Sequence, residues 1–279
     1  MKTANKIALA RLAYRAISVA RGIAGYSDRC IVKRDGFTYD LDLSEGIDFA
    51  IYLGMFERET RKALKGLVKP SAVVLDIGAN IGLHTLLLAE LVGPSGRVLS
   101  FEPTDYAIQK LRRNLSLNSE LAERVTLFHC FLAAKDGGNV PDRIYSSWPL
   151  TESEGLHKKH LGLAMPTNAA PGRSIDEILA EVGRPSVQLV KMDVDGFESE
   201  VLRGATALLR DNRPIFVLEL SPYVLEERGS SLEELLTFFV PNGYRFFRER
   251  TGHQLPSGAA ELRCLVRDGE SMNIVARTT

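Results

Sequence analysis

The residues whose types and spacing could do chemistry are acids placed at the ends of short apolar runs. Asp76 follows Val73-Val-Leu and opens Asp76-Ile-Gly78-Ala79-Asn80-Ile-Gly82, and Glu102 closes the run Val98 to Phe101, twenty residues beyond Gly82. A glycine-containing loop between a strand and a helix, followed by a carboxylate at the end of the next strand, suits a nucleoside. Gly78 permits a sharp turn and a close ligand, Gly82 lets helix and strand pack closely, and Glu102 can accept both ribose hydroxyls. A dinucleotide site needs Gly-x-Gly-x-x-Gly so that a pyrophosphate reaches the helix N-terminus. Here Asn80 takes the place of the second glycine. Asp76 would repel a pyrophosphate, but it suits a cationic group such as the amino-acid end of S-adenosylmethionine.

A second acidic group lies further on, in Lys191-Met-Asp193-Val-Asp195-Gly-Phe-Glu198 and in Phe216-Val-Leu-Glu219-Leu. Asp193 and Glu219 are expected at strand ends facing the same cleft. Asp195 with Glu198 three residues later reads as a capping box for the next helix. Three carboxylates near one cleft are also what a divalent cation uses. The spacing sets no coordination geometry, so no residue is assigned as a metal ligand. His84, His157 and His160 have the ordinary pKa best suited to accepting a proton near neutrality. Each has a plain alternative, His84 as the start of a helix and the other two as a solvated pair beside Lys158 and Lys159.

The elements that must hold these residues alternate. Strands are predicted at Val73 to Asp76, Val98 to Phe101, Val125 to Leu132, Val187 to Met192, Ile215 to Leu218, Tyr244 to Phe247 and Leu262 to Val266. Helices are predicted at Asp48 to Leu67, Gly82 to Leu91, Asp105 to Leu117 behind Thr104, a short one behind Ser174, Gly196 to Leu209, and one behind Ser231. A hairpin is expected around Ile31 to Leu43. Strands alternating with helices predict an α/β fold with a mainly parallel sheet covered on both faces. Residues 48–268 form its body, 1–47 a lead-in and 269–279 a C-terminal tail. Within the body the periodicity fails at 136–172, an insertion rich in Gly, Pro, Asn and Ser around Trp148 that suits a lid over a substrate, where Tyr145 and Trp148 could stack on a sugar ring.

Leu9, Leu12, Ala16, Val19 and Ile23 share one face of an N-terminal helix, with Arg11, Arg15 and Ser18 opposite and no acid before Asp28. This basic amphipathic helix has four readings: packing on its own domain, packing on a second copy as a homo-oligomer, docking on a membrane surface, or a transit peptide. Over the whole chain 35 basic and 35 acidic residues cancel, which gives no general attraction for nucleic acid. Three scattered cysteines show no metal-ligand spacing, and no apolar run is long enough to cross a bilayer, so a cytoplasmic location is expected.

Taken together, Val73-Val-Leu-Asp-Ile-Gly-Ala-Asn-Ile-Gly82, Phe101-Glu-Pro103, Val190-Lys-Met-Asp-Val-Asp-Gly-Phe-Glu198, Leu202-Arg-Gly-Ala205 and Pro214-Ile-Phe-Val-Leu-Glu219 resemble the FkbM family of methyltransferases. Gly54-Met-Phe-Glu57 resembles the family's lead-in segment, and the likeness spans roughly residues 48–250. The resemblance implies a class I Rossmann-like fold with a seven-stranded sheet, S-adenosylmethionine as donor, and O-methylation of a hydroxyl on a sugar, glycan or secondary metabolite. It places Asp76, Gly78, Ala79, Asn80 and Gly82 in the cofactor loop, Glu102 and Pro103 at the ribose, and Glu57 at the methionine end. An alcohol acceptor needs a base, and the candidates are Asp193, Glu219 and His84, with His157 or His160 brought by the insertion. A nitrogen or carboxylate acceptor, or a non-catalytic binding protein on the same fold, are the competing readings. Departures from the family pattern at His84, Asp195 and the insertion leave the acceptor unassigned.

Overall fold

The computed structural model describes residues 3–278 apart from 160 and 169, and for residues 3–7 it describes the backbone alone. In chain order the elements are α1 (Thr3–Ile23), β1 (Arg29–Arg34), β2 (Phe37–Asp42), α2 (Gly46–Tyr52), α3 (Arg58–Leu67), β3 (Val73–Ile77), α4 (Leu83–Val92) and β4 (Arg97–Phe101). There follow α5 (Asp105–Ser116), α6 (Ser119–Ala122), β5 (Val125–Phe128), β6 (Phe131–Leu132), β7 (Arg143–Ser147), β8 (Leu163–Pro166), β9 (Gly172–Arg173), α7 (Ile175–Glu181) and β10 (Val187–Met192). The last are α8 (Glu198–Arg203), β11 (Ile215–Leu220), α9 (Pro222–Glu227), α10 (Leu232–Phe239), β12 (Tyr244–Arg248), α11 (Ala259–Leu265) and β13 (Met272–Thr278).

The central sheet runs β12-β13-β11-β10-β3-β4-β5. All its strands are parallel except β13, which pairs antiparallel with both β11 and β12. Side chains alternate across it, so each strand feeds two cores. Leu75, Leu99, Val190 and Phe216 join Ile178, Leu202, Leu235 and Phe239 on one face. Val74, Val98, Leu189 and Val217 join Leu64, Leu87 and Leu111 on the other. Helix α4 buries Leu83, Leu86, Leu87, Leu88, Ala89 and Val92, because it is covered by neighbours on nearly every side. Thr104, Ser174 and Ser231 accept from the amides of Ala107, Glu177 and Glu234, so each helix starts where its capping residue stands.

Several expectations need correction. Residues 259–265 are helical, since the run Leu262 to Val266 is too short to fix a period and Ala259, Ala260 and Glu261 favour a helix. The missing seventh strand comes from the segment expected to be a tail: Met272–Thr278 inserts between β11 and β12. The stretch 48–67 is two helices, broken where Gly54 and Glu57 take left-handed backbone at φ 65° and 42°. The third strand ends at Phe128, and Phe131–Leu132 pairs instead with Gly172–Arg173. The insertion holds the antiparallel pair β7–β8. It is stitched to the lead-in, where Gly46 N donates to Trp148 O at 2.8 Å and Ser147 Oγ to Glu45 Oε2 at 2.7 Å. Among the described residues no helix is long and apolar enough to cross a membrane.

Helix α1 forms, but its expected apolar seam does not face its own domain. The packed side is Ala10, Ala13, Tyr14 and Ile17, while Leu9, Leu12, Val19 and Ile23 are exposed. Tyr14 decides the orientation: its ring packs edge-on against Phe49 at 5.9 Å and its hydroxyl donates to Asp28 at 2.7 Å.

Candidate active site

At the carboxyl ends of β3, β4, β10 and β11 the sheet opens into one cavity of about 690 Å³, a volume in the range of small-molecule sites. Its wall includes Glu57, Gly78, Ala79, Asn80, His84 and Glu102 with Pro103, and across from them Asp193, Asp195 and Glu219. Asp76 and Gly82, the ends of the predicted loop, do not reach the wall. The insertion contributes Ile144, Tyr145, Ser146, Trp148 and Leu150.

The loop between β3 and α4 is held from below. The amides of Gly78 and Ala79 donate to Phe101 O at 3.1 and 3.0 Å. Gly78 sits at φ 75°, and a Cβ there would lie 1.8 Å from Asp193 O, so neighbouring β10 requires the glycine before any ligand does. Gly82, at φ 96°, makes room for Leu111 of α5, whose Cδ1 would lie 2.4 Å from a Cβ. Glu102 is buried. Its Oε1 accepts from Thr104 N at 2.9 Å and Thr104 Oγ1 at 2.6 Å, and its Oε2 from Asn80 N at 2.9 Å. Oε1 is thus doubly engaged, and Oε2 keeps one acceptor site for a ligand. Burial raises the Glu102 pKa, against the pull of those donors. Asp76, fully buried, accepts from Thr85 Oγ1 at 2.6 Å through one oxygen and leaves the other without a hydrogen bond.

Lys191 answers that vacancy of charge, and sequence reasoning passed over it. It is a buried residue whose Nζ donates to Gly78 O at 3.1 Å and lies 3.7 Å from Asp76 Oδ1 and 3.8 Å from Asp193 Oδ2. Burial pulls its pKa down, but the carboxylates of Asp193, Asp76, Glu57 and Glu102 more than reverse this, so it stays charged. The available signal was a lysine inside the apolar strand Val187–Met192, where a buried cation has to be paired.

Glu57, in left-handed backbone before α3, reaches His84 Nε2 at 2.5 Å. Burial alone would raise the Glu57 pKa, yet the neighbouring imidazole carries it below the usual value. His84 Nδ1 is buried and has no hydrogen-bond partner. A carboxylate on one ring nitrogen and an uncommitted second nitrogen is the arrangement that orients an imidazole for proton transfer.

Across the cavity, Asp193, Asp195 and Glu219 each bring a carboxylate oxygen within 4.8 Å of the others. Three such groups cannot all ionise, and they share protons. Burial first, then the mutual charges, raises the pKa of Asp195 to about 8 and that of Glu219 well above its usual value. Asp193 is raised by burial and held back by Lys191. Glu219 also accepts from Ser271 Oγ, which β13 delivers and sequence reasoning missed. These three oxygens are the ones that could hold a divalent cation.

The expected capping box is half formed. Glu198 reaches back to Gly196 N at 3.3 Å, but α8 has no side-chain cap, and Asp195 turns into the cavity from left-handed backbone at φ 47°. His157 is not on the wall; it lies 3.2 Å from Glu227 and packs edge-on against Tyr145. His160 lies outside the described residues.

The chain is 28% identical over 186 residues to the 2-O-methyltransferase NoeI of Sinorhizobium fredii, a stretch covering 63% of this chain and 74% of that protein. It is 25% identical over 154 residues to the hexuronic acid methyltransferase AglP of Haloferax volcanii, covering 55% of this chain and 58% of that one. Among solved structures it resembles a methyltransferase FkbM from Methylobacillus flagellatus, at 18% identity and a TM-score of 0.46 over 76% of this chain and 45% of the other. The model of the methyltransferase FkbM domain matches residues 76–246, from the loop aspartate into β12. A match over more than half the chain, running through every strand end that walls the cavity, establishes that the chain belongs to the FkbM methyltransferase family.

Proposed function

We propose that the protein is an S-adenosylmethionine-dependent O-methyltransferase whose acceptor is a hydroxyl on a sugar or glycan. The observation that carries this reading is the concentration of carboxylates around one cavity. Glu57, Glu102, Asp193, Asp195 and Glu219 line it, and Asp76 and Glu198 stand close behind. Lys191 is the buried ammonium set among them. A wall so rich in carboxyl oxygens, some ionised and some sharing protons, suits a ligand carrying a sulfonium and an ammonium, whose charge favours their ionised forms.

The donor's requirements are matched in detail. Glu102 Oε2 has an acceptor site free for a ribose hydroxyl. Phe101, Cys130, Phe131 and Leu132 form an apolar wall beside it, suited to a purine. When bound, S-adenosylmethionine supplies a methyl group on a cationic sulfur for in-line transfer to the acceptor oxygen. The protein aligns that oxygen and excludes water through the β7–β8 segment. An alcohol must also lose a proton, and Asp193, whose rise by burial Lys191 holds back, is the carboxylate of the cluster placed to take it. His84, oriented by Glu57, offers a second acceptor nitrogen. Tyr145, Trp148 and Phe197 stand on the same wall, aromatic side chains of the kind a sugar ring stacks on, with Arg228 packed over the Tyr145 and Phe197 rings. The names of the two curated relatives, a 2-O-methyltransferase and a hexuronic acid methyltransferase, support this acceptor class.

The test is incubation with methyl-labelled S-adenosylmethionine and fractionated cell extract. The expected product carries alkali-stable label in a carbohydrate fraction, and Asp193→Ala abolishes it while donor binding survives. Alkali-labile label, as in a carboxyl ester, or label on an amine would overturn the hydroxyl assignment. Repeating the assay with a chelator asks whether the carboxylates work by shared protons, in which case the rate persists, or by holding a cation.

A further inference from the structure

The N-terminal helix carries a feature that methyl transfer does not use. Leu9, Leu12, Val19 and Ile23 are 61%, 68%, 64% and 85% exposed, and Ala16 between them is exposed too. Together they make a continuous apolar stripe along α1, on the side away from Ala10, Tyr14 and Ile17, which pack on the domain. Among the described residues nothing covers it. Contiguous apolar surface of this kind marks an interaction site.

Charge says what covers it. Residues 1–34 hold eight basic side chains and one acid, Asp28, whereas the other 245 residues hold 27 basic and 34 acidic ones. Asp28 is engaged inward, accepting from Tyr14 at 2.7 Å and Ser18 at 3.0 Å. Arg15, Arg29 and Lys33 are exposed. The chain is therefore neutral as a whole but carries its basic excess in the segment that holds the stripe, where Arg29 is paired with Asp42 at 3.3 Å.

We propose that α1 is a membrane-surface anchor. Its stripe of Leu9, Leu12, Ala16, Val19 and Ile23 enters the headgroup and acyl boundary of an anionic bilayer, and Arg15 with the neighbouring basic residues meets the lipid phosphates. A second copy of the chain fits less well. The stripe spans about two heptads, short of the three or four that sustain a coiled coil, and pairing two such helices would bring like charges together. Leu9 belongs both to the stripe and to the cavity wall, which also includes Ala10 and Ala13. The inference rests on α1 alone and stands whatever the methyl acceptor is.

The test is flotation of the full chain with vesicles of phosphatidylcholine containing about 30% phosphatidylglycerol, against pure phosphatidylcholine, at about 0.1 M and about 1 M salt. About tenfold more protein is expected to float with the anionic vesicles at low salt. Arg15→Glu should reduce that fraction, and the double substitution Leu12→Glu with Val19→Glu should remove it. None of these positions lines the cavity, so thermal melting and adenosylhomocysteine binding should match the parent chain and report that the variants fold. Equal binding to both vesicle types, no flotation of the parent chain, or flotation that survives the double substitution would overturn the proposal. So would a dimer that the double substitution converts to monomer while neither form floats.

Discussion

Lys191 and Asp195 carry the electrostatic logic of the site. Replacing Lys191 by Met keeps the apolar stem but leaves Asp76 buried and unpaired, and loss of one partner of a buried pair costs about 3–5 kcal/mol. Chemical denaturation of Lys191→Met should show a loss of that order. Asp195 is raised to about 8 from an ordinary 3.8. Between those values the native chain holds a proton that the unfolded chain has released, so stability falls as pH rises from about 4 to about 8. Asn cannot ionise and tolerates left-handed backbone. Asp195→Asn should therefore gain on the parent chain by on the order of 1 kcal/mol, about 2–4 °C in melting temperature, between about pH 5 and pH 8. A gap that stays constant across that range would show that Asp195 ionises normally. Asp193, Glu219 and Glu102 were legible in the sequence because each ends a run that is plainly a strand. Lys191 and Ser271 were not, because their contacts depend on registers, Lys191 beside Asp76 and β13 beside β11.

Thr104 shows how one element start serves both fold and site. Its hydroxyl caps α5, donates to Glu102 at 2.6 Å and lies 2.9 Å from Ser146 Oγ of the inserted segment. Thr104→Ala should cost about 1 kcal/mol as a lost cap. It should also weaken donor binding several-fold in calorimetry, because Glu102 loses a donor that holds its carboxylate in place. Unchanged donor affinity would confine Thr104 to the cap. At this scale the alternating strands and helices were readable from hydrophobic period and capping residues. Three features were not. The break at 53–57 rests on left-handed backbone at Glu57, which sequence does not announce for a glutamate. The strand at 272–278 is found only by completing the sheet. The face that α1 buries could not be chosen from the sequence, because five exposed apolar residues keep a cleaner period than Ala10, Ala13, Tyr14 and Ile17, which do the packing.

For the whole molecule, the sheet order gathers residues from Glu57 to Ser271 onto one cavity. Strand β3 lies between β4 and β10, so the loop after β3 faces Glu102 on one side and Asp193 on the other. That placement underlies the claim that this face binds a cationic nucleoside donor. Titration calorimetry of the full chain with S-adenosylmethionine and S-adenosylhomocysteine tests it most directly, with Glu102→Ala run alongside. The account predicts one site per chain for both ligands and at least about tenfold weaker binding in the variant, the loss of roughly 1.4 kcal/mol expected when a charged hydrogen-bond acceptor is removed. A folded parent chain that binds neither ligand, or a variant that binds both as tightly as the parent, would contradict it.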